Sequence, residues 1–129
     1  MRRIILLLGA LLVLLVSVPV SAQGIQWTGS FYNNVYFIEP AIGTTTVPSI
    51  GFNWGTGSPH PSVSADNFSA RFGTDVTLNA GTYRFYALAD DAVVVTVDYQ
   101  TRVIDTFNVQ AAGQLIAADI TLGAGSHHI

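Results

Sequence analysis

Asp90 and Asp91 are adjacent carboxylates set into an otherwise apolar stretch, Gly81 to Phe107 (GTYRFYALADDAVVVTVDYQTRVIDTF). Two neighbouring negative charges between strands that favour burial are costly unless solvent or a cation compensates them. Their oxygens are hard anionic ligands of the kind a divalent cation takes, and exposed turn carbonyls can add to such a set. Successive side chains of a regular strand diverge to opposite faces, so the pair grips one ion only where the backbone leaves strand geometry. The residue types alone leave two readings open: a cation-binding corner, or a solvated acidic turn on a structural module.

Other chemistry-bearing residues are weaker candidates. The chain has no Cys and no Lys, and no Ser is framed by glycines as a nucleophile elbow. Eight acids always allow some carboxylate pair, but no feature selects a glycosidase dyad. Asp98 and Asp105 read as turn and strand-end acids. Asn67-Phe68-Ser69 spells a glycosylation sequon in a strand-like context, where it reads as coincidence. Trp27 and Trp54 have the rings of sugar-stacking platforms, yet their alternation with apolar neighbours makes them core residues first. His60 sits in a Pro-bracketed loop and reads as solvated. His127-His128 stand at a strand start, where only one ring can face inward.

The elements that must position these groups are short strands. Tyr83, Phe85 and Ala87 alternate with Arg84, Tyr86 and Leu88, the period of two of a sheet with two different faces. Val93 to Val97 is β-branched and too continuous for an exposed strand. Asp98-Tyr99 offers a turn, and Val103-Ile104 begins the next strand. Upstream, Gln26 to Asn34 reads as a strand with Trp27 and Phe31 toward the core, and Val35 to Pro48 as a connection with weak strand character. Ile50, Phe52 and Trp54 alternate as a half-buried strand, before a loop over Gly55 to Pro61. Phe68, Ala70 and Phe72 form an inward face, and Val76 and Leu78 alternate up to the Asn79-Ala80-Gly81 turn. A loop over Asn108 to Gly113 is followed by a strand on Ala118, Ile120 and Leu122, and Ser126 to Ile129 opens one more. The pattern predicts an all-β antiparallel sandwich or barrel. Phe52, Trp54, Phe68, Phe72, Tyr83, Phe85, Val95 and Ile120 are the expected core.

The address is written in the first 22 residues. Met1-Arg2-Arg3 precedes an apolar run from Ile4 to Val20, and Val20-Ser21-Ala22 supplies small residues for cleavage, the pattern of a secretory signal peptide. The run is slightly short for the roughly 20 residues of a membrane span, and Pro19 lies near its end. Residues 1–22 are thus expected to be removed, leaving one domain over 23–129 with no membrane attachment. Two of the five Lys plus Arg lie in that leader, so three cations face eight acids in the remainder. A basic nucleic-acid footprint is absent. An exported chain without cysteine must be held by sheet packing alone.

The order of motifs resembles a known family. Trp27 with Phe31-Tyr32-Asn33-Asn34, Ile50-Gly51-Phe52-Asn53-Trp54-Gly55, and Ala65 to Phe72 (ADNFSARF) are followed by Gly81-Thr82-Tyr83-Arg84-Phe85 and Ala89-Asp90-Asp91. Val97-Asp98, Val103-Ile104-Asp105 and Leu122 to His127 (LGAGSH) complete the set. Together they resemble the PA-fourteen domain, named for the anthrax protective antigen, over essentially residues 24 to 129. The resemblance implies an antiparallel β-barrel or sandwich of secreted and surface proteins, among them calcium-dependent lectin domains and modules attached to glycosidases. In the lectin members two consecutive Asp residues joined by a cis peptide hold a calcium ion, which in turn holds sugar hydroxyls; Asp90 and Asp91 match that pair. Ala92 follows where Gly is common, and Tyr99 stands where a turn Gly is usual. Family members continue past the position of Ile129 through a further strand and loop, so the domain is expected to lack its final strand, with remaining calcium ligands beyond it.

The resemblance thus implies a secreted or cell-surface module that binds glycans or cell-surface polysaccharide with calcium, as part of a longer chain and without catalysis of its own. The alternatives are a metal-free structural or protein-interaction module and, third, an accessory domain of a glycosidase.

Overall fold

The computed structural model describes residues 24–109 and 111–129. The expected leader over 1–22 lies outside the described residues. Every regular element among them is a β-strand and every pairing is antiparallel, as the alternation predicts.

Strand β1 (Trp27–Tyr32) is the middle of a three-stranded sheet, between β2 (Gly43–Val47) and β3 (Ser69–Gly73). The connection expected over Val35 to Pro48 therefore contains a strand. Thr44, Thr45 and Thr46 pair with Ser30, Gly29 and Thr28. Three β-branched residues suit an edge strand, but threonine carries no apolar alternation to betray it. Conversely, Ile50–Trp54 joins no sheet. Its rings bind the long connection between β2 and β3 onto the sheet instead: Phe52 stacks on Trp54 and on Phe72, both at 5.1 Å, and Trp54 meets Phe31 and Phe68 edge-on. His60 stacks on Phe31 at 5.7 Å and is half-buried rather than solvated. It lies over Gly43, where a Cβ would come within 2.6 Å of the ring nitrogen.

Phe68, Ala70 and Phe72 are half-buried as the alternation predicts, but the strand starts later than expected. Asn67 has φ of 57°, and β3 starts one residue after Phe68, at Ser69. The buried Ser69 hydroxyl donates to the Asn34 carbonyl at 2.7 Å and accepts from the Phe37 N–H at 3.3 Å. This ties the loop after β1 to the sheet.

The longest ladder joins β5 (Gly81–Leu88) to β8 (Leu115–Leu122). Tyr83, Phe85 and Ala87 oppose Ile120, Ala118 and Ile116 on the covered face, and Arg84 opposes Asp119 outside in a two-pronged pair at 2.6 and 2.7 Å. Strands β6 (Val94–Val97) and β7 (Thr101–Asp105) form a hairpin with a register irregularity at Val95/Thr96, and β4 (Asp75–Leu78) pairs with β9 (Gly125–His128).

Phe31, Tyr32, Val63, Val97, Ile104, Ala111 and Leu122 are the buried apolar residues. Of those expected in the core, Trp54, Phe68, Phe72, Tyr83, Phe85, Val95 and Ile120 are half-buried, and Phe52 is 40% exposed. Phe31 and Tyr32 on the central strand β1 are covered fully, whereas rings on the flanking elements keep their rims in contact with water.

Candidate functional site

The acidic corner is the chain between β5 and β6, and the 106–113 loop holds it from both ends. Upstream, the Ala89 carbonyl accepts from the Gly113 N–H at 2.8 Å. Downstream, the Val93 N–H donates to Thr106 Oγ1 at 2.8 Å, and the Val93 carbonyl accepts from the Thr106 N–H at 3.0 Å. Thr106 is 4% exposed and Val93 is half-buried, so this clasp is partly shielded from water. The Asp90–Asp91 peptide bond is cis, the form the resemblance implies for such a pair.

Both side chains are exposed. Glu39, Asp75, Asp98, Asp105 and Asp119 each engage a hydrogen-bond partner. Asp66, Asp90 and Asp91 engage none among the described residues, and of these only Asp90 and Asp91 are adjacent. Asp91 lines an open cavity of about 480 Å³ with Ala92, Thr106, Phe107, Asn108 and Val109. Among the described residues no group of three or more His, Cys, Asp or Glu is placed to hold a metal. Further oxygens for a hard cation at this corner would be neutral ones, and Asn108 lines the same cavity. Sequence reading left Asn108 inside an unremarked loop. Only the fold brings it beside Asp91.

The sequence profile of the PA14 domain matches residues 21–126. The chain belongs to the PA14 domain family. Anti-sigma-I factor RsgI3 of Acetivibrio thermocellus is 35% identical over 85 residues, covering 65% of this chain and 13% of that protein. A solved structure of an anti-sigma factor domain-containing protein is similar with a TM-score of 0.65 and 27% identity, over 81% of this chain and 36% of that one. This chain therefore corresponds to a minor part of each relative.

A second cluster in this PA14 domain was missed by sequence reading, which took Asp98 for a turn acid. Asp98 Oδ2 lies 2.9 Å from His127 Nδ1, and Asp98 Oδ1 accepts from the His128 N–H at 3.0 Å. The Asp98 N–H donates to the His128 carbonyl at 2.8 Å. His127 Nε2 lies 3.0 Å from the Gly123 carbonyl. Carbonyl and carboxylate oxygens only accept, so both ring nitrogens are satisfied when His127 is the imidazolium. The Asp98 hydrogen bond, followed by the Gly123 carbonyl, raises the His127 pKa above its ordinary value. The same bond, followed by the His128 N–H, lowers that of Asp98. His128 Nδ1 lies 2.8 Å from Asp75, and its ring stacks on Tyr99 at 4.1 Å.

This cluster explains how Asp98 and Tyr99 tolerate φ of 53° and 63°, a region costing a non-glycine residue about 1–2 kcal/mol. The side chains that occupy those positions clamp β9 in return. The histidine pair is thus committed to Asp98 and Asp75. The remaining sequence candidates are structural in placement: Trp27 and Trp54 are half-buried, and the sequon's Ser69 is buried.

Proposed function

We propose that this PA14 domain is a calcium-assisted, non-catalytic carbohydrate-binding module of a secreted or cell-surface chain, with Asp90 and Asp91 as the ion-holding residues. The observation that carries the reading is the corner itself: two adjacent exposed carboxylates without a partner among the described residues, clasped at both ends by one loop, with Asp91 on an open cavity. Thr106 fixes the backbone after the pair, and Asn108 offers a neutral oxygen on the same cavity. When bound, calcium supplies coordination positions that two neighbouring sugar hydroxyls fill as well as the waters they displace. Single sugars should bind weakly, since a few hydroxyl contacts leave little after desolvation and ordering costs. The leader-like first 22 residues support export.

The names of the two relatives favour a second context, a regulatory chain of the anti-sigma class. There the domain would recognise the ligand while other parts of the chain act on the result.

Calorimetry tests the reading, with calcium titrated first and sugars second. Asp90→Asn or Asp91→Asn should abolish both heats while leaving the β spectrum and thermal midpoint of the calcium-free protein unchanged. Absence of calcium heat at millimolar concentration, or sugar binding that survives chelator, would overturn it in favour of a metal-free interaction module.

A further inference from the structure

The cavity at Asp91 does not end at Phe107. Phe107 and Asn108 also line a second depression of about 200 Å³, with Tyr36, Phe37, Val94 and Arg102 on its other sides. The two depressions adjoin at these residues, which gives a groove from Asp91 past Phe107 and Asn108 to Tyr36. Small-molecule sites are roughly 300–1,000 Å³. The first cavity falls within that range and the second below it, so the second is an annex to the first and not a separate site.

The annex has rigid walls. Asn34 Oδ1 accepts from the Tyr36 and Ile38 N–H groups at 3.0 and 2.9 Å, fixing the turn that carries Tyr36. Phe37 is tied to the buried Ser69 hydroxyl, and the Arg71 guanidinium lies over its ring at 5.3 Å. Phe107 is held by its N–H to Asp105 Oδ1 at 3.0 Å. Yet the rings themselves stay open, Phe107 at 43% and Tyr36 at 67% exposure, with centroids 6.4 Å apart.

Fixed, exposed aromatic faces bordered by hydrogen-bonding groups suit a ligand that is apolar on its ring faces and polar around its edge. That is the chemistry of a pyranose. A protein-docking patch would instead be apolar at its centre. Charge narrows the class further. Arg102, the cation among the lining residues, is already paired with Asp105, and the corner is acidic, so the lining favours a neutral glycan over a polyanionic one.

We propose that the groove is a second glycosyl subsite, in which Phe107 stacks the sugar unit next to the one held at Asp90–Asp91 and Tyr36 flanks it. The domain then recognises a neutral glycan chain, and Phe107 sets the preference for chain over single sugar. This rests on the reading of the acidic corner as a sugar site.

The test uses matched probes on calcium-saturated protein: glucose with cellotetraose, mannose with mannotetraose, and xylose with xylotetraose. For at least one pair the tetramer should bind about tenfold tighter than the monomer, the order expected when one aromatic anchor engages. Phe107→Ala should collapse that ratio to near one, and Phe107→Tyr should restore it. A preference for the tetramer that survives Phe107→Ala would overturn the subsite while leaving the corner's role intact. Tetramer binding that needs Phe107 but not calcium would uphold the subsite and refute the calcium reading. Failure of all six sugars to bind would overturn the subsite.

Discussion

Thr106→Val is the perturbation that tests whether the 106–113 loop holds the acidic corner. Valine nearly reproduces the shape of threonine, so the packing around this buried position is retained and the hydroxyl alone is lost. The hydroxyl accepts from the Val93 N–H at 2.8 Å and donates to the Val93 carbonyl at 3.2 Å. That carbonyl keeps the Thr106 N–H at 3.0 Å, so it remains satisfied. The Val93 N–H does not, and leaving a buried donor unpaired costs about 1–3 kcal/mol. Val93 is half-buried and water reaches it in part, which places the expected loss at about 1–2 kcal/mol. Urea denaturation should show this as a lower midpoint at unchanged slope. Thr106→Ser, which keeps the hydroxyl, should recover most of it. Calcium should bind more weakly to Thr106→Val than to the parent, because the clasp next to the ligand pair is loosened. A loss below about 0.5 kcal/mol, within the range of an ordinary surface substitution, would refute the clasp.

Two further outcomes follow from the packing and the histidine cluster. Gly43→Ala should destabilise by about 1–3 kcal/mol in the same denaturation assay, since its Cβ would lie 2.6 Å from a His60 ring already stacked on Phe31. Stability should also depend on pH through the β9 clamp. His127 has a raised folded pKa, so its contribution is complete below its ordinary value of 6.5 and is lost as pH rises through the higher folded value. Asp98 has a lowered one, so its contribution is present above 3.8 and is lost as pH falls through the lower folded value. Thermal midpoints should therefore be highest between these limits and decline on the alkaline side, and His127→Gln should flatten that decline.

The parts of this fold that were legible in the sequence are those where one face is dry and the other wet. On β5 and β8 the alternation of Tyr83, Phe85 and Ala87 with Arg84, Tyr86 and Leu88 gave the correct faces, because burial on one side alone enforces the period. The same logic misled at Ile50–Trp54, where apolar residues alternate but pack as rings on a neighbouring sheet without backbone pairing. It missed β2, whose threonines pair at an edge with no apolar signal. At the site, Asp90 and Asp91 stood out because adjacent charges break an apolar run. The groups around them did not, since Thr106, Phe107 and Asn108 are neighbours of the corner only through the β6–β7 hairpin. The Asp98–His127–His128 cluster joins positions far apart along the chain, and no local spacing announces it.

The most direct measurement of the central claim is an amide-resolved nuclear magnetic resonance titration of the protein with calcium, followed by a binding sugar. Calcium shifts should be concentrated at Asp90 to Val93 and in the loop after β7, sugar should add shifts at the same corner only after calcium, and the amides of His127 and His128 should stay silent. Calcium shifts centred elsewhere, or sugar shifts at the corner without calcium, would contradict the claim.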